Sequence, residues 1–252
     1  MDADREMQEY SESYMGRGRK IVSRIFSYAF RVIVFSIIAL VLWRVLLSDR
    51  IPSKAKALLV NDATYAAYLA EGDELDMYTQ YQEKLAVDER DAGIYGLFWV
   101  NKAVFIPGAE QVQILTRYNN STLRHIATDY KLDAIPDRNS IIADVTLVVT
   151  TDPTPDAPKS GDEYKTRYAA SGEPVKNKTA MYNYRSYVFD DVTIDPLTTT
   201  DVTVEFYYVD RVDYDAHPYS SLRIYDSETE NEVVELTSRD KKALDAYAAS
   251  TK

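Results

Sequence analysis

The sequence predicts a mainly β chain in which a single transmembrane helix is followed by an immunoglobulin-like β-sandwich ectodomain with short helical inserts. Three observations carry this expectation. Residues 25–47 are long and apolar enough to cross a bilayer. From Leu75 onward the apolar period changes to two, in eight or nine short runs separated by turn residues. Tyr, which suits a pleated, half-buried surface, accounts for 21 of 252 residues.

The apolar segment comes first. Its centre, Val32–Trp43 (VIVFSIIALVLW), is uncharged and lies between Arg31 and Arg44. Twelve helical residues rise about 18 Å, short of the roughly 30 Å hydrocarbon core, whereas the whole of 25–47 is long enough. Arginines at the ends can reach the head groups, and Tyr28 and Trp43 stand where interfacial aromatics are expected. Two other readings compete. A cleaved signal peptide would use the small-x-small triplet Ala55-Lys56-Ala57, but the apolar stretch and the leader before it are both long for one. A core helix would have to bury apolar residues on every side. Arg17, Arg19, Lys20 and Arg24 precede the segment, while Arg50, Lys54 and Lys56 follow it with Asp49 opposing. This modest asymmetry predicts a cytoplasmic N-terminus and an extracytoplasmic C-terminal domain.

Four parts follow. Residues 1–24 have no periodic apolar face and contain Gly16 and Gly18, so a disordered cytoplasmic tail is expected. Residues 25–47 are the span. Residues 48–72 form a membrane-proximal linker with a short helix over Ala63–Glu71, capped by Asp62, ended by Gly72, with Tyr65, Tyr68 and Leu69 on one face. Residues 73–252 are the β domain.

Strands are expected at Leu75–Gln82, Ile94–Phe105 and Val112–Tyr118. In the last, Val112, Ile114, Thr116 and Tyr118 face inward while Gln111, Gln113 and Arg117 face out. A helix over Thr122–Tyr130, capped by Ser121, buries Leu123, Ile126 and Tyr130. Further strands are expected at Ile141–Thr151, Tyr164–Tyr168, Tyr182–Ile194, Val202–Val209, Leu222–Tyr225 and Val233–Leu236, the last two joined as a hairpin by Asp226–Asn231. Asp152–Asp162 and Ala170–Ala180 are turn-rich loops. A closing helix over Arg239–Ala249, capped by Ser238, turns Leu244 and Tyr247 inward. One β unit is expected, with two smaller ones joined at Asp152–Asp162 as the alternative.

Charge and composition exclude some chemistry. Residues 51–252 hold 34 acids and 21 bases, a field that repels phosphate backbones, so no nucleic-acid partner is expected. With no Cys there are no disulfides, thiolate metal sites or Cys nucleophiles. His125 lies off the apolar face of its helix, and His217 precedes Pro218; two distant His make a zinc site improbable. No nucleophile elbow, Walker loop, dinucleotide fingerprint or zincin motif occurs. Catalytic and cofactor-binding residues are therefore assigned as none.

Acid clusters are the remaining candidates. Asp210, Asp213 and Asp215 in VDRVDYDAHP are the candidate metal ligands, for Ca²⁺, without EF-hand spacing; turn formation is the competing explanation. Asp190 and Asp191 lie near Asp195 in a second acid-rich stretch. The tyrosines at 182, 184, 187, 207, 208, 214, 219 and 225 suit either a core or a binding face, the core being the commoner use. Asn119–Thr122 and Asn177-Lys178-Thr179 match glycosylation triplets.

The functional expectation is a single-pass, membrane-anchored extracytoplasmic β domain that binds, scaffolds or senses at the cell envelope and is not an enzyme. Its partners are the lipid bilayer and a protein at the membrane or envelope. An envelope hydrolase using acidic residues, or a structural subunit of a membrane complex, are the alternatives.

Overall fold

The computed structural model describes residues 3–43, 51–80, 98–152, 164–213 and 218–251, in two compact units, 1–50 and 51–252. The first unit is one helix, α1 (Ala3–Trp43). Within it Arg24–Trp43 is 20 residues of mean hydropathy 2.4, none of it buried. Twenty residues rise about 30 Å, the thickness of a hydrocarbon core. Residues 44–47 of the expected span lie outside the described residues. The N-terminal segment corrects the sequence reading. Residues 3–24, expected to be disordered, continue the helix. Glu6, Met7, Gln8 and Glu9 are good helix formers, and acids suit an N-terminus. A helix nucleated by the apolar segment also extends at one hydrogen bond per residue, against roughly 1 kcal/mol for each of Gly16 and Gly18.

The second unit is mainly β, with two antiparallel sheets. Its elements in order are α2 (Ser53–Lys56), α3 (Asp62–Glu71), β1 (Tyr78–Thr79), β2 (Trp99–Ile106), β3 (Gln111–Asn119), α4 (Asn120–Asp129), β4 (Ala143–Thr151), β5 (Tyr164–Ala169), β6 (Val175–Lys178), β7 (Tyr182–Phe189), β8 (Thr199–Tyr208), β9 (Ser220–Asp226), β10 (Glu232–Val233) and α5 (Ser238–Ser250). One sheet has the order β10-β1-β2-β3-β7-β6 and the other β5-β4-β8-β9. The chain passes from one sheet to the other four times, after β3, β5, β7 and β9.

One core joins the two sheets. Phe105, Ile114 and Phe189 of the six-stranded sheet share a buried cluster with Leu147, Val204, Phe206 and Ile224 of the other. Phe98 stacks on Phe206 with ring centroids 4.7 Å apart and meets Tyr219 edge-on. α4 closes one end: Leu123 and Ile126 are buried, and Tyr130 packs 4.8 Å from Tyr208. Because β4 pairs with both β5 and β8, strands on either side of Asp152–Asp162 share a sheet.

Several elements depart from expectation for identifiable reasons. The three caps are Asn61, Asn119 and Thr237, not Asp62, Ser121 and Ser238. In each case an upstream residue with extended backbone accepts from the first-turn amides. Asn119 and Thr237 also form reciprocal capping boxes. In α3 the buried residues are Thr64 and Ala67, and Leu69 is exposed. β6 falls in the expected loop at 170–180; its VKNK is a polar edge strand whose pairing with β7 a hydrophobic pattern cannot reveal. β9 and β10 are not a hairpin: β9 pairs with β8, whereas β10 pairs with β1 across the molecule. Within the expected strand at 75–82 only Tyr78–Thr79 pairs, while 81–97 lie outside the described residues.

Phe206 is 1% exposed and bridges the sheets through Phe98. Phe206→Ala is expected to cost about 3–5 kcal/mol in urea unfolding, with an unchanged denaturant slope.

Candidate functional site

Gln111 and Gln113 alternate along β3 with apolar neighbours, which predicts a solvent-facing row. Instead they are 1% and 7% exposed. The segment from Ile51 to Glu71 runs along the outer face of the six-stranded sheet and covers them. Ile51 and Tyr182 pack against the cluster of Ala55, Leu115 and Tyr184. Leu58 and Ala67 join Val104, Ile106, Met77 and Ala109.

A polar seam lies between these apolar contacts. The Gln113 amide donates to Leu59 O (2.7 Å) and accepts from Leu59 N (2.8 Å), as a neighbouring strand would. Its Nε2 also donates to Gln111 Oε1 (2.6 Å), which Thr64 Oγ1 reaches as well (2.8 Å). Gln111 Nε2 donates to Asp190 Oδ1 (2.6 Å) and Asn61 Oδ1 (3.1 Å). Asn61 caps α3 through Oδ1 and donates from Nδ2 to Asp190 (3.1 Å).

Asp240 of α5 completes the seam. It is 3% exposed; Oδ1 accepts from Leu58 N (2.8 Å), and Oδ2 accepts from Thr237 N and Oγ1. Lys102 lies nearby and donates to Lys56 O (3.1 Å). Burial pulls Lys102 below the ordinary lysine value, and the Asp240 carboxylate partly restores it. At Asp190 burial works to raise the pKa, but hydrogen bonding with Ser171, Gln111 and Asn61 outweighs it and holds the carboxyl below the ordinary value. This is a docking chemistry: uncharged amides and two carboxylates fix backbone amides, side-chain amides and helix caps in place.

A second polar feature stands at the end where β3 finishes. Arg185 of β7 is 4% exposed and donates to Tyr184 O, Tyr118 Oη, Arg138 O and Ser140 O at 2.8–3.3 Å. Its guanidinium also lies over the Tyr118 ring. Neutral acceptors thus hold a buried cation that pins the 138–140 loop to the sheet. Beside it, Arg117 lies over Trp99 (5.6 Å) and Tyr182 (4.8 Å), and those two rings meet edge-on.

The acids singled out by sequence fall in different places. Asp210 sits in the turn Val209–Arg211 and accepts the Tyr208 hydroxyl (2.9 Å); Asp213 follows, and Asp215 lies outside the described residues. Among the described residues no group of three or more His, Asp or Glu could hold a metal ion. Asp190 belongs to the seam. Asp195 organises its own turn by accepting from Leu197 N and Thr198 Oγ1. An open groove of about 350 Å³ lies beside Asp210, lined by Leu132, Ile135, Pro136, Ile141 and Val209. His125 is exposed, and Asn119 is committed to capping α4.

The tyrosines fill the core. Those at 184, 187, 207, 208, 219 and 225 are buried, Tyr182 is half-buried, and Tyr214 lies outside the described residues. Burial pushes the Tyr219 phenol up, reinforced by its hydrogen bond to Asp129, so it stays neutral.

Sequence reasoning missed the seam. The available signal was the run Ala103-Val104-Phe105-Ile106, apolar on both faces, which demands a cover on each side of the sheet.

Asp240→Ala strands the Leu58 amide and removes the Asp240 half of the α5 capping box; a loss of about 2–3 kcal/mol in chemical unfolding is expected. Asp190 has its lowered pKa in the folded state. Its contribution is present above the unfolded-state value and is lost as pH falls through the folded value. Asp190→Asn is expected to lower stability by about 1 kcal/mol at pH 7 and to flatten the acid limb of the melting-temperature profile. No protein-family model, curated protein or solved structure matches the chain.

Proposed function

We propose that this chain is a single-pass membrane protein whose β domain stands outside the cytoplasm and acts by binding or scaffolding at the envelope, not by catalysis. The observation that carries this reading is the Arg24–Trp43 stretch of α1, apolar on every side and wholly unburied. An exposed apolar surface of that length finds a stable solvent in lipid. Flanking bases favour an N-terminus in the cytoplasm. Two sheets around one shared core support the sandwich reading, and an acidic surface disfavours nucleic acid. The polar groups of the seam are engaged in holding the lead-in segment to the sheet, which suits a docked stalk better than a reaction site. A protein partner is expected at the membrane.

Three measurements on the full-length protein test the reading. Alkaline carbonate is expected to leave the chain in the membrane pellet, with intact mass that retains residues 1–50. Alkaline phosphatase fused after Lys252 is expected to be active. Release by carbonate, a mass lacking the apolar segment, or an inactive phosphatase fusion with a fluorescent cytoplasmic one would each overturn it.

A further inference from the structure

Four exposed apolar side chains stand on loops at one end of the β domain: Ile135 (55% exposed), Val209 (40%), Met181 (39%) and Val212 (37%). Hydrogen bonds and register bring them together. Trp99 pairs with Arg117 where β2 begins, and Asn119 pairs with Tyr182 where β3 ends and β7 begins. Arg138 ties the 131–142 loop to this end by donating to Asn183 Oδ1 and Thr179 O, both at 3.3 Å. Val209 N donates to Ile142 O at 3.3 Å and brings in the 209–212 turn. Among the described residues the domain's other exposed large apolar side chains, Leu69, Tyr164, Val175, Leu197 and Val233, are spread over α3, a turn and the edge strands β5, β6 and β10.

The chain also arrives at this end. Ile51 packs against the Ala55, Leu115 and Tyr184 cluster, as Tyr182 does, and the segment then runs along β3 past Gln113 to Gln111. Only residues 44–50 separate Ile51 from Trp43, and seven residues reach at most about 25 Å. Charge distinguishes the end as well. Residues 117–142, 178–182 and 209–213 carry six bases and five acids, against 21 and 34 for 51–252 as a whole. A surface of anionic head groups repels the bulk of this domain but not this part of it.

We propose that this end of the domain binds a lipid bilayer surface, with Ile135, Met181, Val209 and Val212 in the head-group layer and Trp99, Tyr182 and Arg117 at its rim. The proposal builds on the membrane-anchored reading above. Apolar loop tips beside aromatic rings and a guanidinium match the chemistry of the lipid interface, where one side of a residue is dry and the other wet. The 191–198 turn carrying Leu197 lies at the opposite end of the strands, where Asp152 N donates to Thr198 O beyond the Thr151–Thr199 pair.

The chain has no Cys, so single cysteines label cleanly. Full-length Ile135→Cys and Leu197→Cys proteins, each carrying the fluorophore NBD, are reconstituted in phosphatidylcholine–phosphatidylglycerol vesicles. Far-UV circular dichroism checks the fold. The label at 135 is expected to shift to the blue and to be quenched several-fold by lipids spin-labelled near the head group. The label at 197 is expected to stay water-like. In a Trp99→Phe protein, Trp43 is the sole tryptophan and reports the end of the span through quenching by lipids brominated high in the acyl chain, close to the head group. Quenched Trp43 with a water-like label at 135 overturns the proposal and leaves the anchor standing. A blue shift at 135 without lipid quenching assigns the surface to a second copy or a protein, and also overturns it. Unquenched Trp43 removes the anchor and the proposal with it.

Discussion

Two glutamine side chains on the wrong side of a sheet set the terms for the rest of this domain. An amide buried without partners costs about 1–3 kcal/mol. Gln111 and Gln113 therefore require donors and acceptors on the outer face of β3, and Leu59, Asn61, Thr64 and Asp190 supply them. This requirement turns the stretch after the apolar helix from a linker into a layer of the fold. It also explains why α2 and α3 are short. They are not independent helices but pieces of a strap whose register is set by the amides beneath it.

The two faces of the six-stranded sheet are solved differently. The inner face meets the second sheet through apolar rings and branched aliphatics, where area is the main stabilising term. The outer face mixes two small apolar clusters with directional hydrogen bonds, where geometry matters more than area. The buried Arg185 follows the second logic: two strand oxygens and two loop carbonyls share one guanidinium, which ties the 138–140 loop to β7.

What could be read from the residues alone divides along the same line. The inner face was legible, because alternation in Val202, Val204 and Phe206 and the 3.6-residue spacing in Leu123 and Ile126 report burial against a continuous core. The outer face was not. Gln111 and Gln113 look identical whether they meet water or a strap, since the distinction depends on residues 47 or more positions away. The same holds for Asp190 and Asp240, which a charge count places on the surface. Helix ends were misplaced by one or two residues because Asn61 and Asn119 each precede a second competent cap. Asp210 falls in the turn Val209–Arg211 and accepts the Tyr208 hydroxyl.

The last elements of the chain complete the first. β10 pairs with β1, and Asp240 in α5 holds the Leu58 amide 182 positions upstream. A ribosome delivering this polypeptide from its N-terminus thus releases the strap and the sheet edge long before their closing partners emerge. Native assembly must wait until β10 and α5 have emerged, and until then the growing chain carries an open edge and an unlatched strap that chaperones have reason to shield.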